Sequence, residues 1–455
     1  RTFSCKGGVR LLPGVTLDTV IRSTEKHGTH GVEDAILGQL QQQVYDGSHF
    51  DRSAAMQAAN LRWDALGGAF TQVLKVAHSG ADAFDYSPTY LYATHYAEDR
   101  LTYGYTATYR FATPGVPWLR QSVTGLVERN SESFTPKSYS TDPFFPSAED
   151  GIARERNRWS YAGEWRGEAF DRLFVTAGVR HDDNDAITDF DTWRTSASLR
   201  LPELGLRPHA SVGTSVKFPT MFEQFGAIPR FFTPNPDLKP EKSFGWDAGL
   251  EITVKAVPGL VVDVTYFEAE LKNEINGTAT DPVTFNFTSV NLPGTGHRSG
   301  VEVAASYEIL KGLRVGGSYT WLDAVRADGL TEVRRPKNAG RLDLTYAFLE
   351  NRARLTVSAV YNGEVEDQVR RVTGFFFGFP ILSPERYTLD DYWLLNVAAS
   401  YKLTPNMEVF GRIENLLDAR YQEVYGFATA GIAAYAGVKF TFEDPNTAAW
   451  AKYRE

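Results

Sequence analysis

Cysteine is almost absent, with Cys5 alone among 455 residues. One thiol excludes a disulfide framework and a cysteine-rich metal site. Long hydrophobic runs are missing as well: nowhere do about 18 apolar residues follow one another, so a helical membrane span is excluded, whereas a barrel strand of about 10 alternating residues passes that test unseen. A surplus of positive charge is also lacking. Lys and Arg number 47 against 56 Asp and Glu, a net charge of −9, which argues against a nucleic-acid partner held by phosphate contacts. Near Arg1 there is neither a charged segment followed by an apolar run nor a small-residue cleavage site, and the start reads as an interior cut. Aromatic surface, by contrast, is plentiful. The 29 Phe, 22 Tyr and 9 Trp exceed what a disordered chain carries, so the sequence folds.

The dominant pattern has period two. Val301, Val303, Ala305, Tyr307 and Ile309 alternate with Glu302, Ala304, Ser306 and Glu308, which is a strand with one apolar face. Beyond Lys311-Gly312 the alternation resumes through Leu313, Val315, Gly317, Tyr319 and Trp321, completing a hairpin. Similar pairs recur along the chain, giving roughly nineteen strands. Their connections are unequal. Tight turns fall at Leu12-Pro13-Gly14, Leu66-Gly67-Gly68, 202–205, Val257-Pro258-Gly259 and 403–406, and long polar loops are expected near 27–52, 81–97, 131–152, 219–242, 273–294 and 364–389. Short turns on one rim and long loops on the other suit an antiparallel transmembrane β-barrel. An odd strand count that begins inside a hairpin implies a wall of which about three strands of a probable twenty-two are missing.

In hydrocarbon an unpaired backbone group costs several kcal/mol, so a spanning sheet must close. Outward positions such as Val301, Leu344, Val397 and Phe440 then meet lipid. Inward charges such as Arg180, Glu302, Arg314, Asp343, Arg354, Lys402, Glu408, Arg412, Glu414 and Lys439 face a polar interior of mixed sign. Mixed sign disfavours an ion-selective pore ringed by one charge and suits a wall around a polar plug. A soluble propeller or sandwich is the competing architecture.

One stretch is distinctive: VKFPTMFEQFGAIPRFFTPNPDLKPEKS, residues 216–243. Lys217, Phe218, Pro219, Thr220, Phe222, Glu223, Phe225 and Gly226, then Asn235-Pro236-Asp237-Leu238-Lys239-Pro240-Glu241, resemble a segment of the TonB-dependent outer-membrane receptors. Glu414-Asn415-Leu416-Leu417-Asp418, Tyr421, Tyr425-Gly426 and Gly437 to Phe442 resemble that family's closing strands, and AGLE at 248–251, SVN at 289–291 and SGVEV from 299 follow its order. Residues 421–431 are similar to the cobalamin (vitamin B12) receptors, a similarity that ferric siderophore receptors share in part.

The resemblance covers nearly all of 1–442, leaving 443–455 as a C-terminal tail after Phe442. It implies an outer-membrane protein of a Gram-negative bacterium, embedded in outer-membrane lipid, that is not an enzyme and needs no cofactor. Its loops would capture a large scarce ligand, a ferric siderophore or a cobalamin, and uptake would be energised by the TonB complex through a plug domain that is missing from this sequence. Candidate ligand-gripping aromatics on the long loops are Phe222, Phe225, Phe231, Phe232, Phe375, Phe376, Phe377, Tyr387 and Tyr425. A passive porin-like diffusion channel is the alternative. Asp183, Asp185 and Asp189 form a weak calcium candidate whose spacing lacks the EF-hand glycine and bidentate Glu; no other metal motif is present, nor any nucleotide or serine-hydrolase motif.

Overall fold

The computed structural model describes residues 1–29, 47–88, 91–141, 147, 149–229, 232–280, 287–376, 379–427 and 429–441. Among them, twenty strands form one antiparallel sheet; setting aside the two-residue strand Glu149–Asp150 leaves nineteen. Each long strand pairs with the next long strand of the sheet in sequence order, from Thr2–Leu12 on Val15–Thr29 through to Met407–Glu414 on Ala433–Phe440. The wall is therefore an all-β meander, as the alternation predicts.

Among the described residues the sheet does not close. Thr2–Leu12 and Ala433–Phe440 each have a partner on one side only. With an odd antiparallel count these two strands run the same way, so the regular alternation offers them no antiparallel pairing.

Turns on one rim are as tight as expected. Gly14 sits there at φ +78, and a Cβ at this position would meet the Asp64 carbonyl oxygen at 2.6 Å. Glycine alone tolerates both constraints.

On the other rim the expected loops need correction. Strands Phe70–Ser87 and Tyr92–Thr113 are parted by residues 88–91 only, and Val116–Ser140 runs for 25 residues, about 80 Å of strand. Of the loops expected at 81–97 and 131–152, residues 81–87, 92–97 and 131–140 are thus ladder. There the outward positions are mostly polar, while buried inward positions such as Thr94, Phe134, Pro136 and Ser138 mix polar and apolar residues, so the sequence loses its alternation while the backbone pairing continues. Residues 364–389 likewise hold a separate hairpin, Val365–Phe376 on Phe379–Leu389, and 273–294 hold another, Ile275–Thr280 on Phe287–Asn291. The tail at 443–455 lies outside the described residues.

The two faces of the wall differ in kind. One shows Trp63, Leu74, Tyr103, Tyr105, Val179, Trp193, Leu342, Leu344, Trp393 and Phe440 to the exterior, all exposed. So much exposed apolar surface is the reverse of a water-soluble sandwich, where it would be packed away. The opposite face carries charge, and a small apolar core of Tyr96, Phe134 and Met221, joined by Ala83, Phe222 and Phe225, lies against it.

Candidate functional site

The inward face between residues 96 and 194 is an ionic lattice. Register places Arg100 opposite Glu132 and Glu132 opposite Arg156, and Glu132 bridges both guanidinium groups at 2.6 Å. Further round the wall, Arg180 binds Asp182 at 2.9 Å, Ser160 donates to Asp182 at 2.5 Å, and Arg158 stands 3.6 Å from the same carboxylate. Cross-strand neighbours, and residues two apart on one strand, share a face and lie close enough to pair, which is why the alternating charges find partners.

The Phe-Pro-Thr segment docks on this lattice. Guanidinium groups of Arg156 and Arg158 lie 5.6 and 5.0 Å from the centre of the Phe218 ring, whose edge meets Phe190 at 5.3 Å. Arg156 also donates to the Pro219 carbonyl at 3.1 Å. The chain then makes the short helix Met221–Phe225, started by a reciprocal capping box: Thr220 Oγ1 accepts from the Glu223 N–H at 3.1 Å, and the Glu223 carboxylate accepts from the Thr220 N–H at 2.7 Å.

This helix delivers two of the predicted aromatics into packing. Phe222 meets the Tyr96 ring edge-on at 5.2 Å and stacks on Phe232 at 5.2 Å, while Tyr96 stacks on Phe134 and donates its hydroxyl to the Ala227 carbonyl at 2.7 Å. Phe222, Phe225 and Phe232 therefore fasten the segment to the wall. They are partly buried, not the freely exposed grips that loop position suggested. Aromatic rings gain more from such contacts than from water, and a proline-stiffened segment loses little entropy on docking.

Two motifs far apart in sequence meet here. Asn235 donates to the Ser289 carbonyl at 2.9 Å, Asn291 Oδ1 accepts from the Lys239 N–H at 2.8 Å, and Asn291 donates to the carbonyls of Lys239 and Asn273 at 2.8 and 2.7 Å. The Asn-Pro-Asp-Leu-Lys-Pro run and the Ser-Val-Asn run thus form one joint whose side-chain amides satisfy backbone groups.

A second cluster crowns the other side of the long-loop rim. Asp367, on the hairpin Val365–Phe376, has no exposed surface. Its carboxylate accepts from Arg334 Nε at 2.9 Å, from the Gln368 N–H at 2.8 Å and from the Tyr425 N–H at 2.7 Å. The segments at Arg334 and Tyr425 thus meet its own hairpin there, three in all. Close by, Tyr387 stacks on Tyr425 at 4.1 Å, and Tyr392 stacks on Tyr421 at 4.1 Å while hydrogen-bonding Asn362 and Glu423. Arg386 donates to the Thr331 carbonyl at 2.6 Å. Asn415, in the left-handed region at φ +50, accepts from the Ala419 N–H at 2.8 Å and donates to the Ala419 carbonyl at 2.9 Å, folding the Glu-Asn-Leu-Leu-Asp run into a tight start for the last loop.

Of the predicted ligand contacts, then, Tyr387 and Tyr425 are brought face to face on this second cluster. Phe375 and Phe376 belong to the same hairpin by backbone pairing; their side chains lie outside the described residues, as do Phe231 and Phe377 entirely. Asp367 and Arg334 had no motif to mark them, because a joint between three loops leaves no local pattern in any one of them.

The calcium candidate is corrected by geometry. Asp185 accepts from the Asn157 backbone and side-chain amides at 2.8 and 2.9 Å, and Asp189 accepts from the Asn184 N–H at 2.9 Å. Among the described residues no group of three or more His, Cys, Asp or Glu side chains is placed to hold a metal ion. These carboxylates tie two strand ends and a turn instead of sharing one centre.

Comparison with known proteins gives a consistent picture. The family described as "TonB dependent receptor-like, beta-barrel" matches residues 16–416. The vitamin B12 transporter BtuB of Photobacterium profundum is 27% identical over 270 residues, a match spanning 58% of this chain and 40% of that protein. In three dimensions the siderophore receptor PirA of Acinetobacter baumannii superposes with a TM-score of 0.73 at 14% identity, covering 97% of this chain and 70% of that one. The ferripyoverdine receptor of the Pseudomonas aeruginosa outer membrane gives 0.71 at 14% identity, covering 96% and 64%. At such identities the two superpositions speak for the fold.

Proposed function

Because the chain belongs to the TonB-dependent receptor β-barrel family, we propose that it forms the wall and ligand-capturing rim of an outer-membrane uptake receptor in a Gram-negative bacterium. The family is one of receptors and transporters. The cargo is a large, scarce ligand, a cobalamin or a ferric siderophore. Movement inward is energised by TonB acting on the plug that such receptors carry.

A single observation carries this reading: the fully buried Asp367 gathers three rim segments and holds the stacked Tyr387–Tyr425 pair beside them. Loops of a passive channel need no such fixed arrangement, whereas binding a bulky ligand gains affinity when its contact surface is organised beforehand. The mixed-sign lattice on the inner face supports the same view, since it offers a polar filling paired contacts instead of a ring of one charge.

Cobalamin is the first ligand to test, given the relative that transports it. Binding of cyanocobalamin and of ferric siderophores to the purified full-length protein, followed by tryptophan fluorescence, should show saturable binding of one class, matched by growth rescue under limitation. A large, steady open conductance in planar bilayers with no saturable binding would replace this reading with the diffusion channel.

A further inference from the structure

On the outward face, far from both rim clusters, the wall is notched. Register sets Ala107 beside Gly125, and Gly125 beside Gly163, in one row across three strands. Tyr105 and Tyr161 stand in the row above, and Trp193 closes the side beyond Val179. The result is a cavity of about 650 Å³ lined by these residues and, at its upper edge, by His181 and Asp191. A Cβ added at Gly125 or Gly163 would meet nothing within 4 Å, so neither glycine is there to let another backbone or side chain approach. Its volume is within the range of small-molecule sites.

Height on the wall follows from the strand. Gly125 lies about ten residues beyond the Gly115 turn, about 33 Å of strand and about 25 Å of height at a barrel's usual tilt. The notch thus opens near the upper edge of the apolar band, on the side of the long loops. Polar groups begin at that edge. His181 and Asp191 pair at 2.9 Å in the next row, and one row higher the exposed Arg129 lies 5.7 Å from the Trp159 ring, with no ion pair among the described residues. Asp183 faces Trp159 in that same row.

We propose that this notch is a binding site for a phosphorylated membrane lipid, one acyl chain lying on the Ala107-Gly125-Gly163 floor and the phosphate meeting Arg129. The notch is continuous with the lipid-facing belt, so hydrocarbon is the medium that fills it. An unpaired guanidinium two residues up the strand from the aromatic wall complements a phosphate. Asp183, two strands from Arg129 in the same row, and the His181–Asp191 pair one row lower disfavour a head group that carries further bulky negative charge. The site rests on the membrane placement of the wall and is independent of the cargo.

The test uses the full-length protein in dodecyl maltoside, with dimyristoyl phosphatidic acid and dimyristoyl glycerol as probes, and counts lipids retained in native mass spectrometry. The expected result is one retained phosphatidic acid and weak retention of the neutral glycerol. Gly163→Leu, and separately Gly125→Leu, place a side chain in open space and should lower phosphatidic acid retention about tenfold, with an unchanged β-sheet circular dichroism spectrum. Arg129→Gln should remove the preference for the phosphorylated probe while leaving the weak chain-dependent retention. Equal retention by wild type and both leucine variants overturns the proposal. A protein dimer that is lost in Gly163→Leu, without bound lipid in the wild type, overturns it in favour of a second copy on this face.

Discussion

The Asp367 carboxylate accepts a hydrogen bond from the backbone N–H of Tyr425 at 2.7 Å, across 58 residues of chain. One side chain thereby fixes where another element's backbone runs. With Arg334 held at 2.9 Å by the other carboxylate oxygen, the contact makes a joint that neither loop could form alone.

Removing that joint should loosen the rim and spare the wall. In Asp367→Ala the Tyr425 N–H and the Arg334 guanidinium lose their shared acceptor, a cost of about 1–3 kcal/mol for an unsatisfied donor. Ligand affinity is expected to fall about tenfold or more, with faster proteolysis within 365–389 and unchanged wall strands by hydrogen exchange. Unaltered proteolysis would show that the three segments are held by other contacts.

Phe222→Ala should release the docked segment. Its ring bridges Tyr96 and Phe232, and truncating a packed Phe costs about 3–5 kcal/mol when fully buried, so about 3 kcal/mol is expected at this half-buried site. Amide exchange across 218–240 should accelerate, whereas Thr220→Ala, which removes only a cap, should cost about 1 kcal/mol and accelerate it less.

The inner lattice predicts non-additive mutants. Glu132→Gln leaves Arg100 and Arg156 without their shared carboxylate; breaking a fully buried ion pair costs about 3–5 kcal/mol, and with Arg100 largely exposed about 1–3 kcal/mol is expected here. Combining it with Arg156→Gln should recover part of that loss in a double-mutant cycle, read as the midpoint of thermal unfolding. Strict additivity would mean that the two side chains do not share their energy.

A pH response is expected at the tight-turn rim. Glu203, on the turn after Phe190–Leu199, is held below the usual carboxylate range by its own backbone N–H and then by Arg172. A depressed folded-state pKa means that this contact stabilises the turn above the ordinary Glu value and is lost as pH falls through the lower, folded one. Carbon-13 chemical shifts of labelled Glu203 should titrate below those of an exposed Glu, and Arg172→Gln should move the midpoint upward.

How much of this was legible beforehand differs by level. The nineteen strands, the tight turns and the two chemistries of the wall followed from period-two alternation, since each residue's side of a strand is fixed by its position in the chain. Alternation fails in the upper part of strands such as Val116–Ser140, where the outward face is polar and the buried inward face mixes Phe134 with Pro136 and Ser138, so ladder at 81–87, 92–97 and 131–140 carries no strand signal.

The sequence by itself determined which residues could face lipid and which could face a polar interior, because the strand repeat needs no knowledge of neighbours. Only the tertiary structure decided that Asn235 meets Ser289, that Phe222 packs inward under Tyr96, that Asp367 ties Arg334 to Tyr425, and that Ala107, Gly125 and Gly163 line up as a notch. Each of these depends on the register between strands and on the path of loops. Contacts between distant segments are chosen by closing the chain around them, and no local stretch of residues contains that information.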